Sequence, residues 1–134
     1  MKVQRAEHPA ILAGHHAARA FFASCFDERR SGEQLFVAHL DEGARCIHLS
    51  RHDGHADAVG LPVRRIIADA ARLGSAGVIL AHNHPSGDAT PSTSDCRATR
   101  TLAHAGEAMD LAVVDHLVFG DGGKCRSFRR MGLL

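Results

Sequence analysis

Two histidines separated by a single residue, His82 and His84, stand where an apolar run gives way to a polar loop. The run covers residues 77–81, and a short continuous apolar stretch of this kind predicts a strand buried on both faces. Side chains two apart on a strand project to the same side, so the two imidazoles can converge on one metal ion. The spacing therefore permits a metal site at the end of this strand, provided that a third ligand is available.

A third ligand is available in Asp95, which lies eleven residues after His84 (95 − 84 = 11) at the start of a predicted helix. A loop of that length can fold back over the end of the strand. Two histidines and one carboxylate leave the fourth tetrahedral position open, which is typical of catalytic rather than structural zinc sites. Zinc at such a site lowers the pKa of a bound water to about 7 and makes hydroxide available at neutral pH.

The same residues also have a purely structural interpretation. Ser92 and Asp95 form the pattern S-x-x-D at a helix start, which is equally the pattern of a capping box. In that case Ser92 caps the helix, and Asp95 interacts with the positive end of its dipole. Spacing alone favours this interpretation, and histidine pairs also occur on strands that bind no metal. On these residues alone, a metal site is a hypothesis.

A mixture of helices and strands must position these residues. Apolar residues at helical spacing predict helices over residues 11–25, 62–74 and 91–106. Short apolar runs predict strands over residues 35–40, 45–49, 77–81, 111–119 and 125–128, and residues 52–60 are expected to form a loop. This order of elements predicts an α/β or α+β domain.

Size and composition limit the domain and its partners. The chain has 134 residues, which fits one domain over residues 1–134. A formal net charge of +1 and the lack of Trp and Tyr argue against strong nucleic-acid binding. No apolar stretch approaches the length of a membrane span and the N-terminus does not resemble a signal peptide, so we expect no membrane association. The four scattered cysteines predict reduced thiols in a cytoplasmic protein.

Histidine is unusually frequent, with 11 residues in the chain. Most of them show no spacing that would join them to the His82 pair. We expect these to be ordinary surface or strand residues: His8, His15, His16, His39, His48, His52, His55 and His104.

The segment His82-Asn83-His84-Pro85-Ser86-Gly87, followed by Pro91-Ser92 and Asp95, resembles the H-x-H-x(7)-S-x(2)-D signature of JAMM (JAB/MPN-type) metalloproteases. It is most similar to the RadC family of bacterial proteins, in which HNHPSG followed by PS and D is a hallmark. Thr99 and the run Val114-Asp115-His116-Leu117-Val118 resemble further RadC positions. The resemblance covers roughly Ser31 to the C-terminus. It implies a JAB/MPN-like fold, with a central mixed sheet flanked by helices and a cytidine-deaminase-like layering.

The resemblance also implies a zinc-dependent hydrolase that binds one Zn²⁺ per chain through His82, His84 and Asp95. JAMM sites place a glutamate upstream of the histidine pair, and in RadC-like sequences it precedes a strand ending in Leu-Asp. Glu33 occupies that position, and Glu28 and Glu42 are competing candidates. The implied reaction is cleavage of a peptide or isopeptide amide bond by a metal-activated water. Glu33 is the implied general base, and Ser92 is the implied hydrogen-bond donor to the oxyanion.

Two other classes of function stay open on the sequence. One is a non-catalytic RadC-like interaction module, and the other is a nucleic-acid-associated protein, following the family's link to DNA repair. The chain is too short for the helix-hairpin-helix region of full RadC proteins, which removes the main reason to expect DNA binding. A basic strip is still conceivable from seven arginines: Arg64, Arg65, Arg97, Arg100, Arg126, Arg129 and Arg130. Whether Asp115 or His116 orients a ligand imidazole is also open, because a residue pair at a strand bend is an equal alternative.

Overall fold

The computed structural model describes residues 9–26, 32–53 and 61–134. This part of the chain forms the helices α1 (His15–Ala23), α2 (Val63–Leu73) and α3 (Thr93–Glu107). It forms the strands β1 (Gln34–Leu40), β2 (Cys46–Asp53), β3 (Gly77–Asn83), β4 (Ala112–Phe119) and β5 (Cys125–Ser127). The strands make one sheet in the order β2-β1-β3-β4-β5, in which β3 and β4 are parallel and the other neighbours antiparallel. The predicted mixed sheet flanked by helices is confirmed.

The sheet is covered on both faces because its central strands are apolar on both sides. All seven residues of β1 are buried. Its alternate side chains separate into two clusters: Phe36 packs with Phe22 of α1, and Val37 packs with Ile66 of α2 and Leu102 of α3. Burying one such side chain contributes about 1.5–3 kcal/mol, so the two clusters hold the helices against the sheet.

Most element boundaries differ from the sequence prediction by one residue or more, and three of them have a clear structural cause. Helix α1 begins at His15 because Gly14 has a φ of 87°, and the preceding chain is extended, with Ile11 in a β-bridge to Arg45. Strand β2 continues to Asp53 because its second half pairs with the first half of β1. Strand β3 continues to Asn83, paired with β4. Partners distant in sequence thus decide the two strand ends, whereas the local backbone at Gly14 decides the start of α1.

No helix in the described residues is both long and apolar enough to cross a membrane. All four cysteines are free thiols in the structure, as their scattered spacing predicts.

Two buried histidines face each other across β1 and β2. His39 and His48 are directly paired, 0 % and 1 % exposed, with ring centroids 5.9 Å apart. His39 Nδ1 shares a hydrogen bond of 2.9 Å with Ser75 Oγ, whereas neither ring nitrogen of His48 has a hydrogen-bond partner among the described residues. Burial, reinforced by His48, lowers the pKa of His39 to about 4, and burial also lowers the pKa of His48. Other charged or titratable groups acting on the pair are Asp69, His52 and Arg72.

Acidification is therefore expected to destabilise the fold between pH 6.5 and about 4. In this window the unfolded chain protonates these histidines while the folded protein keeps them neutral, so the free energy of unfolding falls as the pH falls. For His39 the loss is on the order of 3 kcal/mol. Urea unfolding near both ends of the window, with a chelator present, measures it. The variant His39→Leu/His48→Leu is expected to show a shallower loss, and the exposed-site variant His104→Leu a loss like the wild type. An equally steep loss in the double variant contradicts the assignment.

Candidate metal centre

The candidate site lies where the end of β3, the start of β1 and the N-terminus of α3 meet. Because β1 and β3 are antiparallel with Leu35 opposite His82, the register carried two residues further places Glu33 across from His84 (35 − 2 = 33; 82 + 2 = 84). Helix α3 contributes Asp95 from its first turn. The topology thus gathers residues from three separate parts of the sequence.

Four side chains converge at this point. His82 Nε2 lies 3.0 Å from His84 Nε2 and 3.4 Å from Asp95 Oδ2, and His84 Nε2 lies 3.1 Å from the same carboxylate oxygen. Glu33 Oε1 lies 3.6 Å from His82 Nε2, and the ligand atoms of all four residues fall within 4.8 Å of one another. Metal–ligand bonds of about 2.0–2.1 Å in a tetrahedron separate the ligands by roughly 3.3 Å. The spacing of the three predicted ligands therefore suits a small cation.

Hydrogen bonding identifies which nitrogen of His84 is free. His84 Nδ1 lies 2.8 Å from the backbone carbonyl oxygen of Asp88, and a carbonyl only accepts, so Nδ1 carries the ring proton. In the neutral ring Nε2 then presents a lone pair, directed at Asp95 Oδ2 and at Nε2 of His82. Such acceptors repel one another at about 3 Å unless a proton or a cation lies among them. These three ligand atoms therefore suit a metal ion bound among them.

Asp95 has both a structural role and a place in the cluster. Ser92 Oγ accepts the backbone N–H of Asp95 at 2.9 Å, and Asp95 Oδ2 accepts the backbone N–H of Ser92 at 2.8 Å, which completes the capping box. Burial by itself raises the pKa of Asp95. It is outweighed by the hydrogen bond to His82, the charge of His82 and the hydrogen bonding to Ser92, which hold the pKa well below its usual range. The carboxylate is therefore ionised and oriented toward the two imidazoles.

The loop that carries His84 is fastened to the end of β4. The His84 N–H donates to the carbonyl oxygen of Phe119, and the Asp121 N–H donates to the carbonyl oxygen of Gly87, both at 2.9 Å. A Cβ on Gly120 would lie 2.3 Å from that Gly87 oxygen, so only glycine permits this approach. These backbone contacts fix the direction in which His84 leaves the strand.

Asn83, between the two histidines, faces the other side of β3 and holds the segment that carries Glu33. Its Oδ1 accepts the backbone N–H of Gln34 at 2.6 Å, and its Nδ2 donates to the carbonyl oxygen of Gly32 at 3.2 Å. One carboxamide thus clamps the backbone on both sides of Glu33. This contact was not predicted from the sequence, where its only local signal is a hydrogen-bonding residue between two ligand candidates.

Strand β4 supplies a histidine that contacts His82 on its far side. His116 Nε2 lies 2.7 Å from His82 Nδ1, and His116 Nδ1 lies 2.7 Å from Thr99 Oγ1 on α3. The His116 ring is 0 % exposed and stacks on Phe128, with centroids 4.6 Å apart. Burial lowers the pKa of His116 well below its usual value, so the ring is neutral. Of the two residues that the sequence left open, His116 is therefore the one in contact with a ligand candidate.

Asp115 has a different role from its neighbour. Its carboxylate accepts the Ser127 hydroxyl at 2.5 Å and the Arg129 backbone N–H at 3.0 Å, which ties β4 to β5 and the C-terminal turn. Of the competing glutamates, Glu42 is exposed in the turn beyond the opposite end of β1, and Glu28 lies outside the described residues. Among the described glutamates, Glu33 is the one that joins the cluster.

Comparison with known proteins gives a consistent result. A protein-family model described as "RadC-like JAB domain" matches residues 12–133. A UPF0758 protein of Roseiflexus castenholzii is 39 % identical over 111 residues, which cover 75 % of this chain and 47 % of the relative. A UPF0758 protein of Rhodobacter capsulatus is 46 % identical over 106 residues, which cover 78 % of this chain and 49 % of the relative. The chain spans about half the length of these curated relatives or less.

Proposed function

Because the chain belongs to the family of RadC-like JAB domains, we propose that it is a zinc-dependent hydrolase that cleaves a peptide or isopeptide amide bond. The observation that carries the proposal is the convergence of His82, His84, Asp95 and Glu33 within 4.8 Å. His82, His84 and Asp95 form a ligand set typical of catalytic zinc sites. The Glu33 carboxylate lies close enough to transfer a proton to or from a water at the site. JAB domains can be hydrolytic, and the cluster provides the groups that hydrolysis needs.

In this proposal the metal would be held by His82, His84 and Asp95. Zinc in this position would supply Lewis acidity, which polarises an amide carbonyl and makes water acidic enough to be deprotonated near neutral pH. The three ligand residues come from a strand end and a capped helix, which are rigid supports. The three side chains therefore need little rearrangement to bind zinc, which favours a high affinity for the metal.

Glu33 is proposed as the general base and acid. Its carboxylate Oε1 removes a proton from the attacking water and later delivers that proton to the leaving amine nitrogen. The side chain is 20 % exposed, so it is accessible to a substrate yet partly shielded from bulk solvent. The Asn83 clamp on Gly32 and Gln34 limits the positions that this carboxylate can take.

Ser92 is proposed to stabilise the negative oxygen that develops on the amide carbonyl. In the capping box its oxygen accepts a hydrogen bond and its hydroxyl also hydrogen-bonds the Asp95 carboxylate, so donation to a substrate oxygen would exchange one acceptor for another. A hydrogen bond that strengthens as charge develops lowers the barrier rather than the ground state. The free cysteines fit a reducing compartment, and a cytoplasmic location is part of the proposal.

Removal and restoration of zinc tests this function directly. We expect the zinc-loaded protein to cleave either a quenched-fluorescent peptide mixture or a synthetic isopeptide joined through a lysine side chain. Dialysis against a chelator should abolish cleavage, and stoichiometric zinc should restore it, whereas magnesium should not, because it disfavours imidazole ligands. Tight zinc binding without cleavage of any amide probe would instead support the non-catalytic interaction module.

A further inference from the structure

We infer that the Asn83 side chain takes the place of a further strand residue and thereby sets where Glu33 stands relative to the metal ligands. The inference rests on the proposed function for the role of Glu33, but the placement itself can be measured without hydrolysis. Asn83 is a positioning residue, because its carboxamide bonds the backbone on either side of Glu33 rather than the cluster itself.

The backbone ladder between β1 and β3 ends before it reaches Glu33. The last residues that pair across these strands are Leu35 and His82. The next residue of β3, Asn83, pairs on the other side with Phe119 of β4. The end of β3 therefore stays with β4, and the segment that carries Glu33 lies beyond the backbone pairing with β3.

The Asn83 carboxamide bridges this gap as a further peptide group would. Its Oδ1 accepts the Gln34 N–H at 2.6 Å, and its Nδ2 donates to the Gly32 carbonyl oxygen at 3.2 Å. A carboxamide presents an acceptor and a donor, as a backbone peptide unit does, so it can replace a paired residue of an antiparallel strand. The two partners fix its orientation, because the flipped amide would set N–H against N–H and oxygen against oxygen.

The Glu33 carboxylate is held less firmly than the backbone that carries it. Its Oε1 lies 3.6 Å from His82 Nε2, which is beyond hydrogen-bond range. Two of the ligand side chains, in contrast, have supports of their own: His84 Nδ1 bonds to the Asp88 carbonyl oxygen, and Asp95 belongs to the capping box of α3. Loss of the Asn83 carboxamide should therefore free Glu33 and leave the ligands in place.

The test compares Asn83→Ala with the wild type in the full chain, first without zinc. We expect the Gln34 amide to exchange with solvent about tenfold faster in the variant, because it loses its hydrogen-bond acceptor. We expect the ¹⁵N order parameter of the Glu33 amide to fall from about 0.85 to below about 0.6, the range of flexible backbone. Zinc affinity, measured by competition with a chromophoric chelator, is expected to equal that of the wild type.

Hydrolysis by the zinc-loaded variant gives a further readout. We expect kcat to fall about 100-fold, since displacement of a reacting group by about 1 Å can cost that much. The KM of the peptide or isopeptide probe should change little, because Asn83 faces the side of β3 away from the cluster. A residue that only supported the fold would not lower kcat while it preserved both KM and zinc affinity.

A matched control lies at the opposite end of β1. The Asp41 side chain likewise accepts two backbone N–H groups, from Gly43 and Arg45, both at 2.9 Å. Asp41→Ala therefore removes a comparable set of hydrogen bonds far from the cluster. We expect it to keep the wild-type kcat, zinc affinity and Glu33 order parameter, which separates the loss of this placement from a general loss of stability.

Asn83→Asp keeps the test decisive if the alanine variant does not fold. Its carboxylate still accepts the Gln34 N–H but cannot donate to Gly32, so Glu33 is expected to gain mobility while the Gln34 amide stays protected. The inference is overturned if the Glu33 order parameter or kcat keeps its wild-type value in the Asn83 variants, or if zinc binding weakens as strongly as kcat falls. If the wild type cleaves neither probe, the proposed function fails, and the two amide measurements still decide whether Asn83 holds Glu33.

Discussion

Replacing both His82 and His84 with alanine is expected to abolish metal retention, while the wild-type protein holds about one zinc ion per chain. Two of the three proposed ligands disappear, and a lone carboxylate does not hold zinc in competition with water and buffer. Loss of a single outer partner already costs about 10- to 100-fold in affinity, so removal of two ligands should exceed a hundredfold. Elemental analysis of tag-free protein, purified without chelator and then supplied with zinc, measures the content.

The chain contains 11 histidines, so a control must show that the loss of zinc does not follow from removing any two of them. The matched control is His16→Ala/His104→Ala, which removes two exposed histidines on helices α1 and α3. We expect this control to keep the wild-type zinc content. Equal zinc in the His82/His84 double variant and the wild type would show that the metal sits elsewhere. If the wild type binds no zinc, the non-catalytic interaction module becomes the favoured function.

How far the sequence predicts the site depends on how local each contact is. The shared side of His82 and His84 follows from the two-residue period of a strand, and the position of Asp95 in the first turn of α3 follows from the Ser92 cap. Both features are local, and both are predictable from spacing. Glu33 requires the pairing of β1 with β3, and only the family resemblance pointed to it.

Contacts that join distant segments could not be predicted from spacing. The Asn83 clamp spans 49 residues to Gln34, and the link between Thr99 and His116 spans 17 residues. The first depends on the register between β1 and β3 and the second on how α3 packs against β4, and no periodicity encodes either. The same holds for His39 and His48, which were expected to be ordinary surface or strand residues. They are strand residues, but the pairing of β1 with β2 is what brings their buried rings together.

The roles of the site residues remain predictions, although the capping alternative can now be weighed on geometry. The capping box exists, but it does not exclude a metal site, because one oxygen of Asp95 accepts the Ser92 N–H and also faces both imidazoles. A cap alone would not require two histidine nitrogens at 3.0 Å from each other. The cap and the cluster are therefore compatible, and the cap orients the carboxylate.

Glu33→Gln is expected to lower amide hydrolysis by about 10²- to 10⁴-fold while leaving zinc content unchanged. Glutamine preserves the shape of glutamate but cannot take up a proton from water. The Glu33 carboxylate lies 3.6 Å from His82 Nε2, near enough to act on a water at the site but at the edge of the ligand triangle. This variant should therefore lose amide hydrolysis but keep its zinc. The double histidine variant, in contrast, should lose both.

The matched control for this substitution is Glu42→Gln, because Glu42 was a competing candidate and is exposed beyond the far end of β1. Cleavage of the same fluorescent peptide and isopeptide probes, with zinc content measured on the same samples, separates the outcomes. The control is expected to retain wild-type activity. Full activity in Glu33→Gln would remove Glu33 from the mechanism, and a loss of zinc in that variant would mean that Glu33 is a ligand rather than a base. Retained zinc with lost hydrolysis is the result that assigns proton transfer to Glu33, because no other described glutamate lies in the cluster.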